Sequence, residues 1–226
     1  MKGPAGVSGI VLNNLALVSL VVVVLAVGAL YGLRMRDAVE VHRIPESLVE
    51  YVLQEPIEMT PFTLLGFDGE EFGISRLEGK WSFIFFGYTN CPDVCPVTMA
   101  NLATVFRKLE ARSRPMSNIQ GIFISVDEAR DTPEILKQYV LQFDPRFKGL
   151  SGTKPQLDNF TRQLGVLYYI DPENPDENYP VSHNSSLFLI DPKARHFARF
   201  AMPHVPDEIV DVFTQIVRHY EVVEGE

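Results

Sequence analysis

An α/β domain with helices laid on both faces of a buried sheet, carried behind a single membrane-crossing helix, is the fold class this sequence predicts. Three observations carry that expectation. No charged side chain occurs between residues 3 and 33. Further along, apolar runs of strand length alternate with stretches of helical periodicity. The two strongest of those runs are continuous rather than alternating, the pattern of strands covered on both faces.

The first stretch is read as a membrane span. Residues 15–33 contain only Ser19 as a clearly polar side chain, and 19 residues of helix rise roughly 28 Å, close to the thickness of a bilayer core. A cleaved signal peptide would have an apolar core of about 7–15 residues and a small-residue cleavage site. This run is longer and ends on Tyr31, Arg34 and Arg36, which read as an interfacial stop. Basic residues flank both ends, so charge alone leaves the orientation open. Residues 1–9 form a short tail, 10–33 the transmembrane helix, and 34–56, with Pro45 and Pro56, a tether. Residues 57–226 then form one domain. Of the 20 Lys and Arg and 29 Asp and Glu, only Lys2 precedes residue 34, so the rest of the chain is strongly acidic. No basic stripe is available to neutralise phosphates, which excludes a nucleic-acid-binding role.

Within the domain, residues 62–65 and the following FDGE read as a strand and turn. WSFIFFGY (81–88) is a central strand, and residues 96–112 carry Met99, Leu102, Phe106 and Leu109 at helical spacing. IQGIFISV (119–126) is a second buried strand. Residues 133–143 form a helix with Pro133 in its first turn, and 156–164 another before Gly165. Residues 186–190 and 195–200 return as strands. The last helix opens at Pro206 or Asp207 and carries Ile209, Phe213, Ile216 and Tyr220 on one stripe.

Cys91 and Cys95 are the only cysteines, in GYTNCPDVCPVTM. They follow the central strand and precede or open a helix. At i and i+4 of a helix the two sulfurs point to one place, where the unpaired N–H groups of the first turn and the positive dipole end favour thiolate over thiol. A disulfide across so short a loop removes little unfolded-state entropy, so a purely structural staple is disfavoured. Two such thiols suit soft-metal ligation, Cu(I) above all, or reversible oxidation. Of the five histidines, His42 falls in the tether, His219 near the end of the last helix, His196 opens a strand and His204 sits in a loop; all four are read as non-ligands. His183 stands in the loop entering a strand, in YPVSHNSSLFLID, where a suitable strand order would turn it toward the cysteines. The loop before it is acidic, with Asp171, Glu173, Asp176 and Glu177, and reads as a partner-facing patch rather than a calcium site.

These segments resemble the SCO/SenC family of copper-handling, thioredoxin-like membrane proteins. The resemblance is carried by FFGYTNCPDVCPVTM, ISVDEARDTPE, FDPRFKGLSG and SHNSSLFLIDP, in that order along the chain. It implies a thioredoxin-like three-layer domain in which Cys91, Cys95 and His183 bind one copper, as Cu(I) or Cu(II). It implies a chain anchored once in the bacterial inner membrane with the C-terminal domain in the periplasm. It also implies a copper metallochaperone, fed by a periplasmic copper donor, that delivers to the CuA site of cytochrome c oxidase subunit II. Two departures stand out: Ser182 occupies the place where the family commonly has aspartate before the histidine, and Asp127-Glu128-Ala129-Arg130 lacks the family's proline. The alternative is a thiol–disulfide oxidoreductase that reduces the acceptor's cysteines, although the three residues between the cysteines depart from the two usual in that class. A peroxidase reading fails for want of an arginine anywhere in residues 81–106.

Overall fold

The structure, a computed structural model, describes residues 8–41, 44–112, 118–170, 181–183 and 185–225. It forms two compact units, one built on the N-terminal helix and the other, Pro45–Arg218, holding the sheet. The N-terminal helix α1 (Ser8–Val41) continues past the expected 10–33 at both ends. Within it, Leu17–Arg34 is long and apolar enough to cross a membrane.

The α/β arrangement has a mixed eight-stranded sheet at its centre. Its strands are β1 (Val52–Glu58), β2 (Thr63–Gly66), β3 (Glu71–Gly73), β4 (Trp81–Gly87), β5 (Ile119–Ser125), β6 (Lys148–Ser151), β9 (Leu187–Ile190) and β10 (Arg195–Phe200). A separate two-stranded hairpin joins β7 (Tyr168–Ile170) to β8 (Val181–His183). The sheet order is β1-β10-β9-β4-β5-β6-β2-β3. β4, β5 and β6 run parallel, and β9 lies antiparallel against β4 with Phe85 opposite Leu187. Every residue of β4 and β5 is buried, as their unbroken apolar sequences require.

Side chains on β4 alternate between the two faces. Trp81, Phe83 and Phe85 point one way. Phe83 meets Phe106 of α2 (Val94–Ala111) and Phe213 of α5 (Pro206–Glu224), while Phe85 meets Phe123 of β5. Phe123 in turn meets Tyr139 of α3 (Pro133–Leu141). Ile84, Phe86 and Tyr88 point the other way, into a cluster with Phe188, Val181 and Phe160 of α4 (Lys154–Gln163). Helices therefore cover both faces of the β4–β5 ladder and hold its carboxyl end rigid. α3 starts at Pro133 as expected, with Thr132 as its N-cap; α4 starts at Lys154, two residues before the expected 156, where Thr153 and Gln156 complete a capping box.

The sheet extends further than its apolar runs. β1 occupies residues expected in the tether, so the anticipated boundary at residue 57 falls inside a strand. Pro56 is tolerated there because β1 is an edge strand, paired on one side only with β10. β6 is a four-residue strand held by β5 and β2.

His196 of β10 is buried against the Phe188 ring, with no well-formed hydrogen bond to either ring nitrogen. Burial, helped by the Arg199 charge, pushes its pKa down from 6.5 to about 4. Its contribution to stability is then flat above pH 6.5. As the pH falls from 6.5 to about 4 the unfolded chain gains a proton that the folded chain refuses, and stability is lost. Urea unfolding followed by Trp81 fluorescence at pH 7 and 4.5 is expected to show a loss that His196→Leu reduces by about 2.5 kcal/mol. An equal loss in both proteins would contradict this assignment.

Candidate metal and thiol centre

The turn from β4 into α2 places the two sulfurs. Cys91 precedes the helix and its N–H donates to the Tyr88 carbonyl at 3.2 Å. Cys95 lies in the first turn of α2, which begins at Val94, two residues before the expected start. Helical i, i+4 spacing therefore does not pair the sulfurs, because Cys91 is outside the helix. Another device brings them together. Asp93 is the N-cap residue but its side chain makes no capping hydrogen bond. The Cys91 sulfur takes that role instead, facing the N–H groups of Asp93, Cys95 and Val94 and the thiol of Cys95. Burial pushes the Cys91 thiol up, but those donors together outweigh it and hold its pKa below the ordinary value.

Cys95 is opposite in character. Its side chain is fully buried, and burial drives its pKa far up, against a hydrogen bond from the Tyr88 N–H. Its sulfur lies against Gly87: a Cβ at that position would stand 2.7 Å from Sγ and 2.8 Å from the Phe123 ring. Glycine at the end of β4 is thus a space requirement rather than a turn requirement. Both cysteines are free thiols, so the structure describes the reduced pair.

Three residues that spacing does not reveal hold this turn. Asp131 is buried, and its carboxylate accepts from the Thr89 N–H at 2.9 Å and the Thr89 hydroxyl at 2.6 Å, which fixes the residue two before Cys91. Burial raises the Asp131 pKa, partly offset by the Ser125 and Thr89 hydrogen bonds. Arg130, paired with buried Asp127, lies 5.5 Å from the centre of the Tyr88 ring. Tyr88 packs in the same apolar cluster as Val181, against which Cys91 also lies, so its ring and hydroxyl stand between the two. ISVDEARDTPE is thus the second wall of the site; in the sequence its contribution is visible only as part of the family resemblance.

Packing around Tyr88 brings β8 beside the dithiol turn. Val181 is buried in the cluster against which Cys91 packs, and His183 stands two residues further along, opposite Tyr168 of β7. The backbone thus carries His183 on the strand that packs beside Tyr88 and Cys91. The side chains of Ser182 and His183 lie outside the described residues, as do His42 and the acidic stretch with Asp171, Glu173, Asp176 and Glu177. Among the described residues no three His, Cys, Asp or Glu groups are grouped for a metal ion. His204, expected in a loop, is buried there: Nδ1 lies 3.2 Å from the Thr98 hydroxyl and Nε2 3.3 Å from the Phe200 carbonyl. It ties the β10–α5 loop to α2.

A model of the SCO1/SenC family matches residues 52–218. The SCO2-like protein RP587 of Rickettsia prowazekii is 36% identical over 154 residues, covering 68% of this chain and 74% of that protein. Yeast Sco1, in a structure with copper bound, superposes with a TM-score of 0.67 at 32% identity, over 72% of this chain and 90% of that one. Arabidopsis thaliana ScoI, also with copper bound, gives 0.65 at 31% identity, over 72% and 99%.

The contrast between the two thiols can be measured. In the reduced, metal-free protein at neutral pH, iodoacetamide is expected to modify Cys91 at least about tenfold faster than Cys95, read by peptide mass mapping with time; equal rates would contradict the described environments. Gly87→Ala forces Cys95 or Phe123 to move, so it is expected to cost about 1–3 kcal/mol in urea unfolding and to speed Cys95 alkylation. A variant with wild-type stability and reactivity would show that the contact is not a constraint.

Proposed function

The chain belongs to the SCO1/SenC family, and on that footing we propose that it is a membrane-anchored copper metallochaperone. Cys91, Cys95 and His183 hold one copper ion, which is passed to the CuA site of cytochrome c oxidase subunit II. The observation that carries this reading is the shared packing of Cys91, Tyr88 and Val181, which sets the dithiol turn beside the strand that bears His183. Two thiolates and an imidazole make a soft, three-coordinate set suited to Cu(I). The chain crosses the bacterial inner membrane once, through residues 10–33, and holds its C-terminal domain in the periplasm on a short tether. A periplasmic donor loads it.

The residues divide the work. Cys91, partly exposed at the mouth of α2 and with its pKa held below the ordinary thiol value, receives the ion first. Cys95 gives up its proton as the cation arrives, since a positive charge beside it offsets the burial that otherwise keeps it protonated. Asp131 and Tyr88 keep the loop in place while an incoming acceptor thiolate replaces the ligands one at a time, so the ion never enters bulk water.

The inequality of the two thiols also favours a second reading, reduction of the acceptor's cysteines. The Cys91 thiolate attacks the acceptor disulfide, forming a mixed disulfide and releasing one acceptor thiolate. Cys95, deprotonated in turn, attacks Cys91 and frees the second. Two electrons pass to the acceptor, and the Cys91–Cys95 disulfide left behind needs an external dithiol reductant to return.

Substitution separates the schemes. His183→Ala is expected to lose copper retention by more than tenfold while thiol–disulfide exchange stays within about twofold of wild type. Anaerobic Cu(I) titration of the reduced protein, with X-ray absorption to count sulfur and nitrogen ligands, reads the first; exchange with a disulfide peptide reads the second. Full copper retention by His183→Ala would refute the three-ligand assignment.

A further inference from the structure

A groove of about 500 Å³ opens at the carboxyl ends of β5 and β6, the same end of the sheet as the dithiol turn. Its floor is apolar, with Leu65, Pro133 and Leu136, and Leu65 is 44% exposed there. Glu71 and Glu128 stand exposed on its rim, and among the described residues no lysine, arginine or histidine lines it. Neither glutamate has an ion-pair partner among the described residues, so both charges face solvent. Two helix N-termini also border it. Their first-turn groups are engaged by the Thr132 hydroxyl and by the Thr153–Gln156 box, so the full charges left on the rim are carboxylates.

The groove is continuous with the site through one residue. Asp131 lines it, and the same carboxylate holds both the N–H and the hydroxyl of Thr89, two residues before Cys91. A segment lying in the groove therefore runs beside the dithiol turn. Its volume falls in the range of sites that bury a few side chains. An apolar floor rimmed by unpaired carboxylates complements an apolar residue flanked by lysine or arginine, and it repels an anionic lipid surface.

We propose that this groove docks an extended, basic and apolar segment of the acceptor protein and so aligns the acceptor's thiols with Cys91. The inference rests on the reading of Cys91 and Cys95 as the pair that exchanges with an acceptor. Docking beside the pair rather than over it leaves the sulfurs open to the incoming ligand, as stepwise exchange requires. The rim charges act on the encounter and the Leu65 floor on the lifetime of the complex.

The test uses the full chain in nanodiscs and, as probe, the copper-free soluble CuA domain of an oxidase subunit II. With p-benzoylphenylalanine at position 65, illumination is expected to cross-link the probe through a segment bearing lysine or arginine. Glu71→Lys with Glu128→Lys is expected to slow association about fivefold or more at low salt, to flatten its salt dependence, and to remove the cross-link. Copper stoichiometry and thiol count in that variant are expected to match wild type, which shows that the fold is intact. Unchanged association by the double variant, or cross-links only to a second copy of this chain, would overturn the proposal. The copper reading fails separately: if the wild-type chain retains no copper yet the cross-link forms and the double variant abolishes it, the groove stands and the cargo assignment falls.

Discussion

The site depends on how tightly a strand end and a helix start are joined. β4 ends in Gly87 because a side chain there would occupy the space of the Cys95 sulfur and the Phe123 ring. α2 begins three residues after Cys91, and its first N–H groups converge on the Cys91 sulfur because Asp93 does not cap them. A helix start leaves several donors without intrahelical partners, and satisfying them with a sulfur atom ties helix formation to thiolate formation. The same turn leaves Cys95 inside the core, one turn from water. One backbone path therefore yields two thiols of opposite tendency.

That asymmetry has a consequence for cargo. A buried thiolate without a counter-charge is unfavourable, so Cys95 stays protonated until something positive arrives. A soft cation provides the charge and a bond in one step, and the proton leaves as the metal enters. On the proposed copper reading, the pair would therefore differ between loaded and unloaded states in charge as well as in coordination. Tyr88 lies at the meeting point of the dithiol turn and β8, packed with Val181 of β8 in the cluster against which Cys91 rests. Asp131 does the corresponding work on the other side, holding Thr89 from a position 42 residues further along the chain.

The parts legible in the sequence are those with strong local signals. Continuous apolar runs mark β4 and β5, Pro133 marks the start of α3, and the spacing of two cysteines after a buried strand marks the centre. β1 escapes a reading of the sequence because Glu55, Pro56 and Glu58 look like linker, and only the pairing of that edge with β10 makes them a strand. β6, with Lys148 and Gly149, has no periodicity of its own and owes its conformation to neighbours on both sides. The start of α2 lies two residues earlier than its proline suggests because no conventional side-chain cap announces it; a cysteine sulfur meets the donors instead. Asp131, Arg130 and Tyr88 are invisible as site residues in the sequence because their partners are set by the parallel pairing of β4 with β5, which residue spacing does not encode.

A site of this kind must bind and release, and the two demands meet in where its parts are placed. The donors that favour the Cys91 thiolate come from backbone locked into a helix, so they do not weaken as ligands exchange. The outer side of Cys91 remains partly exposed, so in the proposed transfer an approaching thiolate comes to Cys91 before Cys95. Under that proposal exchange is ordered by burial: the exposed sulfur is displaced while the buried one still holds, and Cys95 regains its proton last. Reduction of an acceptor disulfide obeys the same order, with the exposed thiolate attacking and the buried thiol resolving. One arrangement of unequal thiols accordingly suits both proposed chemistries, which differ in whether a cation or an oxidised pair of sulfurs reaches Cys91.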